Sequence, residues 1–214
     1  IEWTEFTTES TGIPGEGLAS NNIRDIAYEK TGYGHEIWLA TDSGLAVAGF
    51  DIDGVTSATT YTTDICEILS NDVLSVGVDV RHNRWAGTPE GISIYRGSSW
   101  YDTTTYLHED EFWASLTEIT ITDFGSYDDD SMIFVTTEGA GMLRYKFDPV
   151  DGFTGASPYA ASWTLLESNN INTISVFGTT QWFGTPEGAF MHEGNSTKVL
   201  WVPYLAEEFP LSPN

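Results

Sequence analysis

The segment RWAGTPEGISIY, residues 84–95, holds two short apolar strands joined by a turn that contains Thr88 and Gly91. Thr-x-x-Gly suits such a turn, because Gly reaches the positive φ that tight strand-to-strand turns often need. The construction occurs three more times: IWLATDSGLAV from Ile37, IFVTTEGAGMLRY from Ile133 and QWFGTPEGAFM from Gln181. The four threonines are Thr41, Thr88, Thr137 and Thr185, which gives successive spacings of 47, 49 and 48 residues. An aromatic residue stands three places before each one, as Trp38, Trp85, Phe134 and Trp182. A glycine stands three places after it, at Gly44, Gly91 and Gly188; in the third copy it is Gly141, one residue later.

Working outward, each of these hairpins is preceded by a polar turn and an alternating apolar run: SNNIRDIAYE from Ser20, SNDVLSVGVDV from Ser70, SLTEITITDF from Ser115 and SNNINTISVF from Ser168. Period-2 alternation is the pattern of a half-buried strand. A third strand follows each glycine, and a fourth, aromatic-rich segment closes the unit: ATTYTT, WYDTTTY, SWTLLE and VLWVPY. No segment keeps a 3.6-residue period over two turns, which excludes helical arrays. Four short antiparallel strands in each repeat of about 48 residues predict the all-β architecture of a β-propeller, one repeat per blade. A lone blade cannot bury both of its faces, so neighbours are obligatory. The repeat aromatics are expected to fill the wedge between blades, where burying each ring contributes up to ~4–6 kcal/mol.

The runs SNNIRDIAYE…IWLATDSGLAV and LSNDVLSVGVDV…RWAGTPEGISIYRGSSW resemble the two-component regulator propeller repeat. That pattern is a Ser-Asn turn, a hydrophobic strand ending near Asp, and a Trp-x-Gly-Thr-x-x-Gly hairpin. The resemblance covers nearly the whole chain. Copies two and four match the hairpin fully, whereas copy one has Ala40 in place of Gly and copy three has Phe134 and Thr136. It implies a propeller of the kind found in extracytoplasmic sensor regions of bacterial hybrid histidine kinases or in secreted bacterial proteins. It implies no catalytic residue, since the repeat is structural.

The expected organisation is a propeller over residues 1–205, with repeats at about 18–63, 64–106, 107–167 and 168–205, and a tail or linker over 206–214. WTEFTT at Trp3 resembles a fourth strand, so residues 1–8 are read as an outer strand that closes the last blade. The alternatives are a closed four-bladed ring and part of a larger propeller. DIDGVTSATT after Asp51 and DPVDGFTGASPYAA after Asp148 are read as insertions that lengthen third-to-fourth strand links.

Composition limits the partners. Thirty-two acidic residues against eight basic ones leave a net charge of −24. Nucleic acid and anionic membrane surfaces both require a basic footprint, and are excluded as partners. No apolar run approaches the ~20 residues of a membrane span, so no membrane insertion of this segment is expected. The absence of an initiator Met before Ile1 reads as a processed or trimmed piece, and Cys66, standing alone, permits no internal disulfide. An acidic surface with three lysines suits a saline, extracellular or periplasmic setting, and equally suits family composition or divalent-cation sites.

In a propeller the fourth-to-first and second-to-third strand links share one face. The resemblance therefore groups Asn21, Asn22, Asn71, Asp72, Thr117, Asn169 and Asn170 with Asp42, Ser43, Glu90, Glu138 and Glu187. From these, Asn22, Asp42, Asn71, Asp72, Glu90, Glu138, Asn170 and Glu187 are the candidate ligand-binding residues. Roughly one carboxylate per blade would ring the channel mouth and hold a cation, Ca2+ being the hard-ion candidate, or a small polar ligand such as a glycan. The competing reading is that these acids and amides cap their own turns.

Other motifs lead nowhere. Asp51-x-Asp53-Gly54 starts like a calcium loop but has Thr62 at position twelve. The His-Glu pairs at His35, His108 and His192 lack the second His of a zinc helix, and His35 and His82 read as exposed turn residues. Asp128–Asp130 reads as a solvated hairpin tip, and Asn195-Ser196-Thr197 is a sequon meaningful only in a secretory host. No catalytic residue or cofactor is assigned. The reading is a non-enzymatic extracytoplasmic propeller that senses a ligand or binds a protein partner. The alternatives are a structural component of a surface or secreted assembly, and a propeller lyase or glycan-active enzyme.

Overall fold

The computed structural model describes residues 7–9, 18–32, 34–102, 119–126, 132–148, 152–159, 168–193 and 202–204. Among them are sixteen strands and no helix. Every sheet is an antiparallel meander of four strands in chain order. The first is β1 (Ile23–Thr31), β2 (Gly34–Thr41), β3 (Gly44–Asp51) and β4 (Gly54–Tyr61); the second is β5 (Ser75–Val78), β6 (Arg84–Thr88), β7 (Gly91–Arg96) and β8 (Ser99–Asp102). The third is β9 (Ile121–Ser126), β10 (Met132–Thr137), β11 (Met142–Asp148) and β12 (Gly152–Tyr159). The fourth is β13 (Thr173–Phe177), β14 (Thr180–Thr185), β15 (Gly188–Glu193) and β16 (Val202–Tyr204). The chain divides into two compact units, Ile1–Val78 with His82–Glu118, and Asp79–Arg81 with Ile119–Asn214.

The repeat threonine has a definite task. In all four copies its hydroxyl donates across the β2–β3-type hairpin to the carbonyl of the repeat glycine: Thr41 to Gly44 at 2.7 Å, Thr88 to Gly91 at 3.0 Å, Thr137 to Gly141 at 2.7 Å and Thr185 to Gly188 at 2.9 Å. The same oxygen accepts a turn N–H, from Ser43, Glu90, Ala140 and Glu187 respectively, each at 3.2 Å. Gly44, Gly91 and Gly188 sit at φ 136°, 132° and 138°, which side chains rarely adopt. The threonine thus fixes the turn and the glycine permits it, which is why the pair repeats.

Within each unit the second sheet packs on the first. In the first unit Trp38, Ala40 and Leu45 meet Val73, Val76 and Ala86, with Tyr61, Tyr95 and Trp100 at the border. In the second unit Phe134 and Met142 meet Ile171, Ile174, Phe183 and Phe190. A carboxylate on the first strand of the leading sheet aligns each pair: Asp25 accepts from the Val76 N–H at 2.9 Å, and Asp123 from the Ile174 N–H at 2.8 Å and the Thr173 hydroxyl at 2.7 Å. Both lie at a register shift of their strand, which turns the carboxylate toward the next sheet.

Three expectations change. The segments after Asp51 and Asp148 are not lengthened links: β4 and β12 are themselves the fourth strands, paired along β3 and β11. SWTLLE, which was expected to be a fourth strand, lies outside the described residues. The first strand of the third sheet begins at Ile121, so Thr120, not Thr117, corresponds to Asn22; the alternating run TEITIT permits either register, and pairing with β10 settles it. Trp38, Trp85 and Phe134 are buried as expected, but Trp182 keeps 39% of its surface exposed. Residues 1–6, Asp128–Asp130, Asn195–Thr197 and the 206–214 tail lie outside the described residues.

Candidate functional site

The candidate residues lie on turns that their own hydrogen bonds shape. Ser20 and Ser70 hydroxyls accept the N–H groups of Asn22 and Asp72, at 3.0 and 3.3 Å. Ser168 does the same for Asn170 at 3.1 Å, so three turns share one Ser-x-x cap. Asn71 takes the Thr63 N–H at 2.8 Å and Asn21 takes that of Thr8 at 2.8 Å. Glu90 and Glu187 are exposed, with their N–H groups on the repeat threonines; the Glu138 N–H donates to the Thr120 carbonyl at 3.0 Å.

In the first unit three candidates come together. The Asn22 amide donates to Asp42 at 2.8 Å, and Asp42 also takes the Ser43 hydroxyl at 3.2 Å. Hydrogen bonds from Ser20 and Asn22 hold the Asp42 carboxyl below the usual carboxylate range, with Arg24 adding a smaller attraction. Arg24 in turn pairs with Asp72 at 2.5 Å, across from the first sheet to the second. The cluster Asn22–Asp42–Arg24–Asp72 is exposed, preorganised and polar. In the second unit, Glu138, Asn170 and Glu187 form no comparable mutual hydrogen bond among the described residues. Nor do three His, Cys, Asp or Glu side chains converge on a cation-sized site among the described residues. Asp51 caps its own hairpin by accepting the Asp53 N–H at 2.8 Å, which accounts for the calcium-like spelling there.

Two features escaped the sequence reading. One is a buried charge cluster between the sheets of the first unit. Glu29, on the covered face of β1, takes a two-point contact from Arg84 at 2.7 and 3.0 Å, and His82 lies 2.8 Å away. The Arg84 guanidinium stacks 5.2 Å from the Trp38 ring and 5.9 Å from Tyr95, and reaches Glu36 at 3.5 Å. His82 holds φ 62°, a left-handed value for a side chain-bearing residue, and so belongs to this cluster as well as to its turn. The available signal was Glu29 itself, an acid in a position of β1 that the alternation assigns to the interior.

The other is a cavity of about 310 Å3 at the end of the first sheet away from Asp42, lined by Thr31, His35, Glu36, Phe50, Asp51 and Ser57 among others. His35 is a β2 residue stacked between Tyr28 and Phe50 at 5.8 and 5.4 Å, rather than an exposed turn residue. The cavity could not be read from sequence, because its walls come from both hairpin ends of the sheet.

No family model matches the chain, and no curated protein matches it. Solved structures do. The extracellular domain of BT3049 from B. thetaiotaomicron, described as a hybrid two-component system, is similar with a TM-score of 0.63 at 18% identity over 86% of this chain and 23% of that one. The extracellular domain of BT4673 from the same organism gives 0.61 at 16% identity over 91% and 24%. The WD40 repeats of RRP9 give 0.59 at 8% over 85% and 51%. The chain thus spans about a quarter of the length of the two bacterial domains. At these identities the shared property is the fold: the four-stranded sheets of this chain are similar to the blades of propeller-type domains.

Proposed function

We infer that the chain is part of an extracellular or periplasmic propeller that senses a ligand or engages a protein partner, without catalysing a reaction. The observation that supports this most is the fold likeness to extracellular domains of two-component systems. The chemistry agrees with it. Each described histidine is engaged structurally, His35 in a ring stack, His82 on Glu29 and His192 on Gln181. The polar turns present donors and acceptors on a fixed frame, which suits recognition of hydroxyl-rich ligands. The ligand contact is assigned to Asn22, Asp42 and Asp72 around Arg24, because there a cation and two carboxylates are already held in place. A net charge of −24 repels anionic ligands, so neutral or amine-bearing glycans are the expected class.

Isothermal titration with neutral, amine-bearing and acidic oligosaccharides tests this reading. Heat with the first two classes, lost in Asn22→Ala and Asp42→Ala but kept in Ser57→Ala, supports it. Heat lost instead in Ser57→Ala moves the site to the cavity, and no heat with any class removes the glycan reading. Turnover of any of these sugars would overturn the non-enzymatic assignment.

A further inference from the structure

The described residues that line the cavity all belong to the first sheet, and the strand register sets its walls. Glu29 pairs with Glu36, Glu36 with Gly49 and Gly49 with Ser57, so these four residues form one row across β1, β2, β3 and β4. Residues opposed in this way share a face of the sheet, and two like charges directly opposite each other are destabilising unless a counter-charge offsets them. Arg84 serves the two carboxylates unequally. It makes a two-point contact with Glu29 at 2.7 and 3.0 Å but reaches Glu36 only at 3.5 Å. That contact and the 3.2 Å bond from the Trp38 indole both fall on Oε2 of Glu36. The Glu36 side chain keeps 31% of its surface exposed and faces the cavity as one of its lining residues.

The far half of the row is shaped to leave room. Gly49 pairs with Ser57 and Phe50 with Val55, so Thr56 is an extra residue bulged out of the β3–β4 ladder. The bulge brings both hydroxyls over Gly49: a Cβ there would collide with Ser57 Oγ and stand 3.3 Å from Thr56 Oγ1. Any side chain at position 49 would therefore displace the hydroxyls from the space beside Glu36. Opposed Cβ positions lie about 5 Å apart, so a group placed between the Glu36 carboxylate and the Ser57 hydroxyl can touch both.

We propose that this cavity binds a small primary amine, its ammonium group held by Glu36 and by the Thr56 and Ser57 hydroxyls. An ammonium carries three donors and no acceptor, and this wall offers it a carboxylate and two hydroxyl oxygens. Glu29 and Glu36 share a single guanidinium, and Asp51 adds a further carboxylate to the lining, so the field favours a cation and repels an anion. A volume of about 310 Å3 exceeds what a bare ion fills and stands at the small end of ligand pockets, which gives the amine a short organic body. The site is separate from the Asn22–Asp42–Asp72 cluster and does not depend on it.

A nitrogen–proton NMR titration of the 214-residue chain at physiological salt tests the proposal, with millimolar serinol and, in parallel, glycerol, which differs from it by a hydroxyl in place of the ammonium. Serinol should give saturable shifts at the amides of Glu36, Gly49 and Ser57, and glycerol should bind at least tenfold more weakly. Glu36→Gln keeps the side-chain shape and should weaken serinol tenfold or more, Ser57→Ala about threefold, and Asp42→Ala not at all. Gly49 does not hold a left-handed φ, so Gly49→Ala should leave the melting temperature nearly unchanged while abolishing binding. Shifts that never saturate at these amides, or that saturate at Asn22 and Asp42 instead, overturn the proposal. Equal affinity for glycerol overturns it too, as does binding that survives Glu36→Gln unaltered.

Discussion

Replacing Arg84 by Met should be among the most damaging single changes in the first unit, and replacing Glu29 at the same time should reverse most of the damage. The Glu29 carboxylate is 3% exposed and takes two of its three close contacts from one guanidinium, the third, at 2.8 Å, coming from the more exposed His82. Met fills much of the volume of Arg between Trp38 and Tyr95, so packing loss is small and the cost is chiefly electrostatic. Leaving a buried charge without its partner costs about 3–5 kcal/mol, and the lost stacking on two rings adds roughly 1 kcal/mol. Glu29→Leu should cost less, about 1–3 kcal/mol, because Arg84 keeps Glu36 at 3.5 Å and both rings. The double variant should lie within about 1 kcal/mol of the parent, since a buried pair exchanged for well-packed apolar groups is often neutral. Urea titration followed by tryptophan fluorescence and far-UV circular dichroism closes the double-mutant cycle. A coupling of about 3 kcal/mol or more is expected. If Arg84→Met costs under about 1 kcal/mol, or if the two costs simply add, the cluster is not a coupled buried pair and the reasoning fails.

Three further outcomes follow from the geometry. Gly44 and Gly54 both have positive φ, 136° and 127°, but a Cβ at Gly44 would stand 2.6 Å from the Tyr61 carbonyl, while one at Gly54 meets nothing within 4 Å. Gly54→Ala should therefore cost about 1–2 kcal/mol from backbone strain alone and Gly44→Ala clearly more, as measured by urea midpoints. His192 is 1% exposed, and burial, helped by Arg144, pushes its pKa down to about 4. A lowered histidine pKa means the fold prefers the neutral ring. Its contribution is complete above the unfolded value near 6.5 and drains away as pH falls toward 4, a loss of up to about 3 kcal/mol. The stability difference between parent and His192→Gln should shrink or change sign over that window; a difference independent of pH would refute it. Burial pushes the Cys66 thiol up, and its sulfur donates to the Thr62 carbonyl at 3.3 Å, so aromatic disulfide reagents should label it far more slowly in the native than in the unfolded chain.

Much of the blade was legible in the sequence because its signals are local. Thr41, Thr88, Thr137 and Thr185 each act within their own hairpin, and the alternation that marks β1 or β13 needs no distant partner. The serine caps ahead of Asn22, Asp72 and Asn170 are likewise three-residue events. What stayed hidden depends on pairs about fifty residues apart: Asp25 on Val76, Asp123 on Ile174, Glu29 on Arg84. Copy three was misplaced at its first strand for a related reason. TEITIT alternates in either register, and only the pairing of β9 with β10 chooses Ile121 over an earlier start. Of the candidate site, Asn22, Asp42 and Asp72 were legible, but Arg24 was not, because its partner Asp72 lies on the next sheet.

The polar residues between sheets also explain how near-identical repeats avoid pairing in the wrong order. A chain of four similar blades offers several compact arrangements of almost equal apolar burial, so apolar packing alone selects poorly among them. The two junctions inside the units differ in their polar content. In the first unit the leading sheet supplies the acid Glu29 and the following sheet the base Arg84. In the second the leading sheet carries Arg144, and the following sheet carries Gln181, at the position of Arg84, with His192 beside it. Exchanging the following sheets would set Glu29 against Gln181, burying a carboxylate without its cation, and would set Arg144 against Arg84, burying two like charges. Each mispairing costs several kcal/mol, comparable with a large part of a domain's net stability.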